Sequence, residues 1–425
     1  MQNVFNRCDC TETGARLLRR ALLSTLIFSA MSAGHAADAP SFGALLQQAQ
    51  LNAPQLLEQA ANVRAAGADV RQAGAWSNPT INAVSENIGV SQGGVSQREN
   101  TYSVTQAFEI GGKRAARLEA GHRRSLAASA LERQTRVGFA SDLAIAYATA
   151  EAMQQRQQVA QAELARAKDD LRAAAALVKA GREADLRLAQ ARASAAAAEA
   201  AVQSADAETT GALERLGALA GAQEPYTRIV HPLLGTATAR PPAAGWSPGD
   251  TPALATAAAE RDALTAQVRI EEKRWLPDVG VTLGMRKYGA TDDRAATVGV
   301  NVSIPLFDRN KAGIDAARER ATGAAMRLEG ARLNSVAAHR TAIAQVAATE
   351  RRLQAAELGE TAALDAYRLG RIGYDAGKTA LLELLAIRRQ LSEATERTIE
   401  ARLDRVRALA TLSMAEGRIA FGEAP

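Results

Sequence analysis

Aromatic residues make up only 4% of this chain, and its two cysteines, Cys8 and Cys10, both lie within the first 36 residues. So little aromatic bulk argues against the two or three compact domains that 425 residues would otherwise permit. A chain without its first 36 residues would have no disulfide, no thiol nucleophile and no N-terminal cysteine to acylate. Histidine is also rare. His122 and His339 fall in long helical stretches and His231 precedes Pro232, which is no metal-ligand spacing. No glycine-rich loop runs into a lysine and a hydroxyl residue, so ATP or a proton gradient would be used by a partner. No catalytic constellation and no cofactor site are expected. An excess of one charge is missing too, which argues against a nucleic-acid partner. The formal charge is +5, and removing residues 1–36 leaves 47 basic against 44 acidic side chains, or +3.

The N-terminus reads as an export signal, residues 1–36. Arg16, Arg19 and Arg20 precede an apolar run from Ala21 to Ala30, and Gly34 and Ala36 supply the small residues of a cleavage point. The alternative reading is a buried N-terminal helix; the short core and the flanks favour export.

What the chain has in abundance is alanine, as at Ala173–Ala176 and Ala195–Ala198. Such helices form readily and approach closely, but each buries little apolar surface, so helical arrays are favoured over a compact core. The chain also states one pattern twice, 198 residues apart: Trp76 and Pro79 are answered by Trp275 and Pro277, and Lys113 by Lys311. The first half, 37–235, holds an N-terminal helix from Phe42 to Gln72 broken near Asn52-Ala53-Pro54. A β-hairpin over 78–110, a long helix 113–178 and a return helix 183–219 follow. The second half, 236–414, holds a helix 252–275, a β-hairpin 278–305, a long helix 311–369 and a return helix 378–414. A tail, 415–425, closes the chain.

The hairpins alternate with period two. Val279, Val281, Leu283 and Met285 interleave with Gly280, Thr282, Gly284 and Arg286, and Val298, Val300, Val302 and Ile304 with Thr297, Gly299, Asn301 and Ser303. In the first half Tyr102, Val104 and Phe108 share a face, Gln106 is the exception, and Glu86 and Asn87 interrupt the strand over 78–90. Four strands of about ten residues, apolar on one face, fit transmembrane barrel staves. A soluble two-sheet structure would fit the alternation but not two hairpins set so far apart. Four staves cannot close a barrel, and lipid tolerates no open edge, so several chains must share one wall. Three chains supply twelve strands.

Helix lengths describe a tube. The first long helix, 66 residues, reaches about 99 Å. The pieces 183–219 and 252–275 together nearly match it, and the N-terminal helix would complete the second half's return. The breaks at Asn52-Ala53-Pro54, at 221–252 and at the C-terminal tail would then form a belt halfway along.

Several segments carry a family likeness. These are Asn78-Pro79, Gly111-Gly112-Lys113-Arg114, Leu276-Pro277-Asp278 and the run from Ile304-Pro305-Leu306-Phe307 to Asn310. The segment Tyr367–Gly373 leading into Gly377–Leu385 completes the set. In combination the chain resembles the TolC family of outer membrane efflux proteins, and the stretch from Gly370 to Leu385 looks most like its heavy-metal, cobalt-zinc-cadmium branch. The resemblance implies a homotrimer with a twelve-stranded barrel in the outer membrane and a periplasmic α-barrel. It also implies docking to a periplasmic adaptor and an inner-membrane RND transporter. Many relatives carry a lipid on a cysteine after the leader; this chain has none there.

Function then falls on gate and lining. The far-tip residues Gly181, Arg182, Asp185, Gly370, Arg371, Gly373, Asp375 and Gly377 are candidates. Rings of Asp185 or Asp375 would attract cations and hold a pinched tip against Arg182 or Arg371. The alternative makes the aspartates solvated turn residues or helix starts, and the glycines turn and packing residues. Trp76 and Trp275, with Tyr102 and Tyr288 farther out, are candidates for aromatic girdles at the membrane surfaces. The expected function is passive export of divalent heavy metals. Drug efflux or type I protein secretion through the same architecture, and a soluble periplasmic adaptor, are the rival readings.

Overall fold

The computed structural model describes residues 38–237, 246–376 and 378–422. Residues 1–36, expected as an export signal, and Gly377 lie outside the described residues. Two helices open the described chain, α1 (Phe42–Asn52) and α2 (Pro54–Ala73). Pro54 holds Ala53 extended (φ −68°, ψ 120°), which separates them. Four short or medium strands follow: β1 (Thr80–Glu86), β2 (Ser91–Gln92), β3 (Val95–Ser96) and β4 (Glu99–Glu109). Next come α3 (Lys113–Lys179), α4 (Asp185–Ala220) and α5 (Pro252–Arg274). Then β5 (Asp278–Tyr288), β6 (Arg294–Val302), α6 (Lys311–Asp375) and α7 (Leu381–Ala415) complete the chain.

The strand expected over 78–90 stops at Glu86, because Asn87 turns into the left-handed region (φ 54°). The two hairpins are not isolated within the chain. They join along β4 and β5 into one antiparallel sheet of order β1-β4-β5-β6. Eleven residue pairs from Glu99↔Tyr288 to Glu109↔Asp278 hold them in register. The match is physical, since equal lengths and in-phase alternation set Val104 beside Leu283 and Tyr102 beside Met285 on one face, and Thr105 beside Thr282 on the other. Gln106 on the apolar face turns its amide back to donate to the carbonyls of Ser77 and Ala107. The outer sides of β1 and β6 pair with no strand among the described residues.

The long helices run away from this sheet. The 67 residues of α3 span about 100 Å. In α6, helix continues to Asp375, through the break expected at 370–377. Gly370 and Gly373 do not end the helix; they admit a neighbour. A β-carbon on Gly370 would lie 2.9 Å from Ile387, and one on Gly373 2.3 Å from the Thr379 hydroxyl.

The stacking of the shorter helices also departs from expectation. α2 packs on α3, as do α4, α5 and α7, while α6 packs on α5 and α7. α2 therefore continues α4 along α3, and α5 continues α7 along α6. Gly221, which caps α4 with φ 70°, sets the first joint: its α-carbon lies so close to the Asn52 carbonyl that a β-carbon would approach to 2.4 Å. At the second joint, where α7 stops and α5 begins, a cavity of about 540 Å³ is lined by Phe139, Asp142, Pro252, Ser335 and Met414.

The main core sits at these joints, halfway along. Phe42 and Leu45 of α1, Phe139, Leu143 and Tyr147 of α3, Leu216 of α4 and Leu403 and Val406 of α7 are buried there together. The tail joins them, with Phe421 edge-on to Phe42. Beyond this belt the buried residues of α3 toward the tip are alanines, Ala167 and Ala174. Ion pairs tie the slender helices side to side instead: Arg352–Asp404 and Arg405–Glu350 between α6 and α7, and Arg388–Asp170 between α7 and α3. An exposed pair such as Arg352–Asp404 contributes about 0–1 kcal/mol, so it sets register more than stability.

Candidate functional site

At the far tip Gly181 (φ 68°) turns the chain between α3 and α4. Arg182 is exposed in that turn, and Asp185 is exposed at the first residue of α4, where the helix dipole favours a carboxylate. The other tip lies at the end of α6. There Arg371 and Asp375 are exposed and line a cavity of about 210 Å³ with Asp169, Asp170, Tyr367 and Arg388. The structure thus brings Arg371 and Asp375 together with α3 but leaves the Gly181–Asp185 group apart from them. No ion pair within the chain engages Arg182, Asp185, Arg371 or Asp375 among the described residues. Gly370 and Gly373 serve helix packing, as above.

Sequence reasoning missed Arg388. Its side chain is 13% exposed and pairs with Asp170 at 2.7 Å and Glu163 at 3.5 Å. Ser392 also bonds Glu163. The signal was present: two acids seven residues apart on α3, one helical stripe, opposite a single arginine on α7.

The sheet has two chemically distinct faces. One carries Ile81, Val104, Leu283, Val298 and Val300, all exposed within the chain although apolar. The opposite face carries hydroxyls, amides and glycines, including a Thr105–Thr282 hydroxyl pair at 2.8 Å. Gly280 leaves room for the Asn301 side chain, since a β-carbon there would lie 2.1 Å from Asn301 Oδ1. Tyr102 stands exposed on the apolar face beside Met285. Tyr288 does not join it. The register sets Tyr288 opposite Glu99, on the polar face with Arg286.

Where sheet meets helices, Trp76 is 64% exposed, edge-on to Phe108, with the Arg114 guanidinium 4.9 Å above its ring. Trp275 is also exposed, at the end of α5. Phe307 protrudes fully into solvent nearby in sequence, after Ile304 and Leu306, which are exposed as well. Aromatic rings beside a cation, next to a band of outward valines, are the composition of a membrane interface. No described helix is long and apolar enough to cross a membrane.

The belt is held by one face of α3. Tyr147 donates from its hydroxyl to the carbonyls of Pro40 and His231. Burial, with the Glu151 charge adding to it, pushes the Tyr147 phenol up to about 12. Glu151, 4% exposed, accepts from the backbone N–H groups of Leu233 (2.7 Å) and Leu234 (3.0 Å). Burial raises its carboxyl, and the Leu234 and Leu233 N–H bonds oppose that rise. Gln154 both donates to and accepts from Ile229. His339 is buried, stacked on Trp246 with ring centres 3.7 Å apart, and lies 3.4 Å from Glu416. Tyr147, Glu151 and Gln154, at spacings of four and three, fasten the linker and N-terminus to the long helix.

Known proteins share this construction. The family described as outer membrane efflux protein matches residues 45–222 and 249–418. The chain is 54% identical to the nickel-cobalt-cadmium resistance protein NccC of Alcaligenes xylosoxydans xylosoxydans, over 94% of this chain and 91% of that protein. It is 54% identical to the nickel and cobalt resistance protein CnrC of Cupriavidus metallidurans, over 92% and 93%. Among solved structures it superimposes on CusC, a transmembrane channel, with a TM-score of 0.76 over 89% of this chain and 92% of that one, at 18% identity. The duplicated, TolC-like fold and the match across both halves have one reading: the chain belongs to the outer membrane efflux protein family.

Proposed function

We propose that three copies of this chain close a twelve-stranded barrel in the outer membrane and extend it as a helical duct through the periplasm. The duct passively conducts divalent metal cations, nickel, cobalt or cadmium among them. An inner-membrane RND transporter supplies the energy and a periplasmic adaptor links it to the tip; the chain itself performs no covalent chemistry. The observation that carries the assembly is the sheet: four amphipathic strands whose two outer edges pair with no strand among the described residues, which lipid does not tolerate unless neighbours complete the ladder. The substrate class rests on the 54% identity to two proteins named for metal resistance. In this reading residues 1–36 are removed on export, and 37–235 and 236–414 are the two repeats. Arg182, Asp185, Arg371 and Asp375, in no ion pair among the described residues, meet those of neighbouring chains at the gate. Trp76, Trp275 and Tyr102 sit at the membrane surfaces.

The test is tolerance after deletion of this chain in cells that retain transporter and adaptor. Growth in nickel, cobalt and cadmium falls and is restored by the intact gene. Loss of tolerance to drugs alone would sink the metal assignment, and a purified protein that stays monomeric and water-soluble would sink the barrel.

A further inference from the structure

On the polar face of the sheet, the two ends differ in how their charges are balanced. Next to the helices each carboxylate has its own cation: Arg117 bonds Glu109, and Lys113 Nζ lies 2.8 Å from Asp278. Along the middle the face is uncharged, with Asn82, Ser103, Gly284 and Thr297 in register. At the far end, charges from three adjacent strands converge. Arg286 of β5 reaches across β4, where Nη1 lies 2.9 Å from the Glu99 carboxylate and Nε donates to Thr101 Oγ1 at 3.1 Å. Its Nη2 lies 3.6 Å from Glu86 of β1. On this face two carboxylates share one guanidinium, and one negative charge is left over. Lys287 and Arg294 pair in register on the opposite face, and Arg98 bonds Ser85 and Asn100 there.

We propose that Glu86, Glu99 and Arg286 form a cation-selective ring at the outer mouth of the channel, with Arg286 setting its net charge. The proposal rests on the three-chain channel above: threefold symmetry places three such excess negative charges on the inner face of one opening. All three side chains stay partly exposed, where they act on passing ions. Low-dielectric walls focus such a field toward the axis, where it favours a departing divalent cation and repels external anions. Because the arginine also clasps β1, β4 and β5, removing it changes charge and local order together. The tests must separate the two.

The measurement is the reversal potential of the full-length protein in a planar bilayer under a roughly tenfold potassium chloride gradient. The wild-type channel prefers potassium over chloride. Arg286→Gln should raise that permeability ratio by about twofold or more, and Glu86→Gln with Glu99→Gln should lower it by about twofold or more. Arg286→Lys, which keeps the charge but loses the planar fork, should leave the ratio near the wild-type value. If Arg286→Gln fails to assemble, the double glutamine variant tests the same claim with opposite sign. One common ratio in all conducting variants would overturn the ring alone. A wild-type protein with no conductance would overturn the channel, and the ring with it.

Discussion

Glu151 shows how a single buried charge can be structural in a duct. Its carboxylate satisfies two backbone N–H groups that the linker would otherwise bury without partners. Glu151→Ala should therefore cost about 1–3 kcal/mol, read as a lower midpoint in heat-induced unfolding. Glu151→Gln retains an accepting oxygen and should unfold close to wild type. The pH dependence separates the two roles. The folded carboxyl titrates above its ordinary value of 4.5, so the unfolded chain loses this proton first. Wild-type stability accordingly declines as pH rises from 4.5 toward the raised folded value, then levels off. The Glu151→Gln variant lacks that component, and identical pH profiles for the two proteins would contradict the assignment. Nothing in the sequence marked Glu151, because its partners lie more than eighty residues away in an irregular segment.

At the scale of elements, two glycines with left-handed backbone make a controlled comparison. Gly181 turns the tip with nothing within 4 Å of a would-be β-carbon. Gly221 ends α4 against the Asn52 carbonyl, a backbone atom that cannot swing aside. Gly181→Ala should cost about 1 kcal/mol from conformation alone. Gly221→Ala adds a clash at the α4–α2 joint and should cost about 2 kcal/mol or more. Thermal unfolding of both variants checks the order; equal losses would mean the joint is loose. The existence of these helices was legible from alanine content, missing prolines and the punctuation at Pro54, Gly221 and Pro252. Their stacking was not. Length bookkeeping fits either pairing of the short helices, and tertiary packing, with the contact of Gly221 against Asn52, selects one. The same limit explains Gly370 and Gly373. A glycine that ends a helix and one that admits a neighbouring side chain look alike in sequence.

At the scale of the whole molecule, the sheet faces decide which surface meets lipid. Val300 lies opposite Val281 on the apolar face, and Asn301 opposite Gly280 on the polar one. A lipid-facing arginine near mid-bilayer costs roughly 2–4 kcal/mol, so Val300→Arg should cut the yield of membrane-inserted, heat-modifiable oligomer. Asn301→Arg, turned toward the lumen, should insert far better. Comparable yields from both would mean the faces are reversed.

Period-two alternation, the duplicated pattern and the helix lengths are local properties, so residue order alone determined the strands, their faces, the two long helices and a midway belt. Each follows from which side chains recur at two or at 3.6 residues. Tertiary structure decided what depends on distant partners. It joined β4 to β5, set α2 above α4, placed Tyr288 beside Glu99 and brought Arg388 to Glu163 and Asp170. These contacts link residues that are far apart along the chain, and which of several compatible partners wins is settled by packing, not by periodicity.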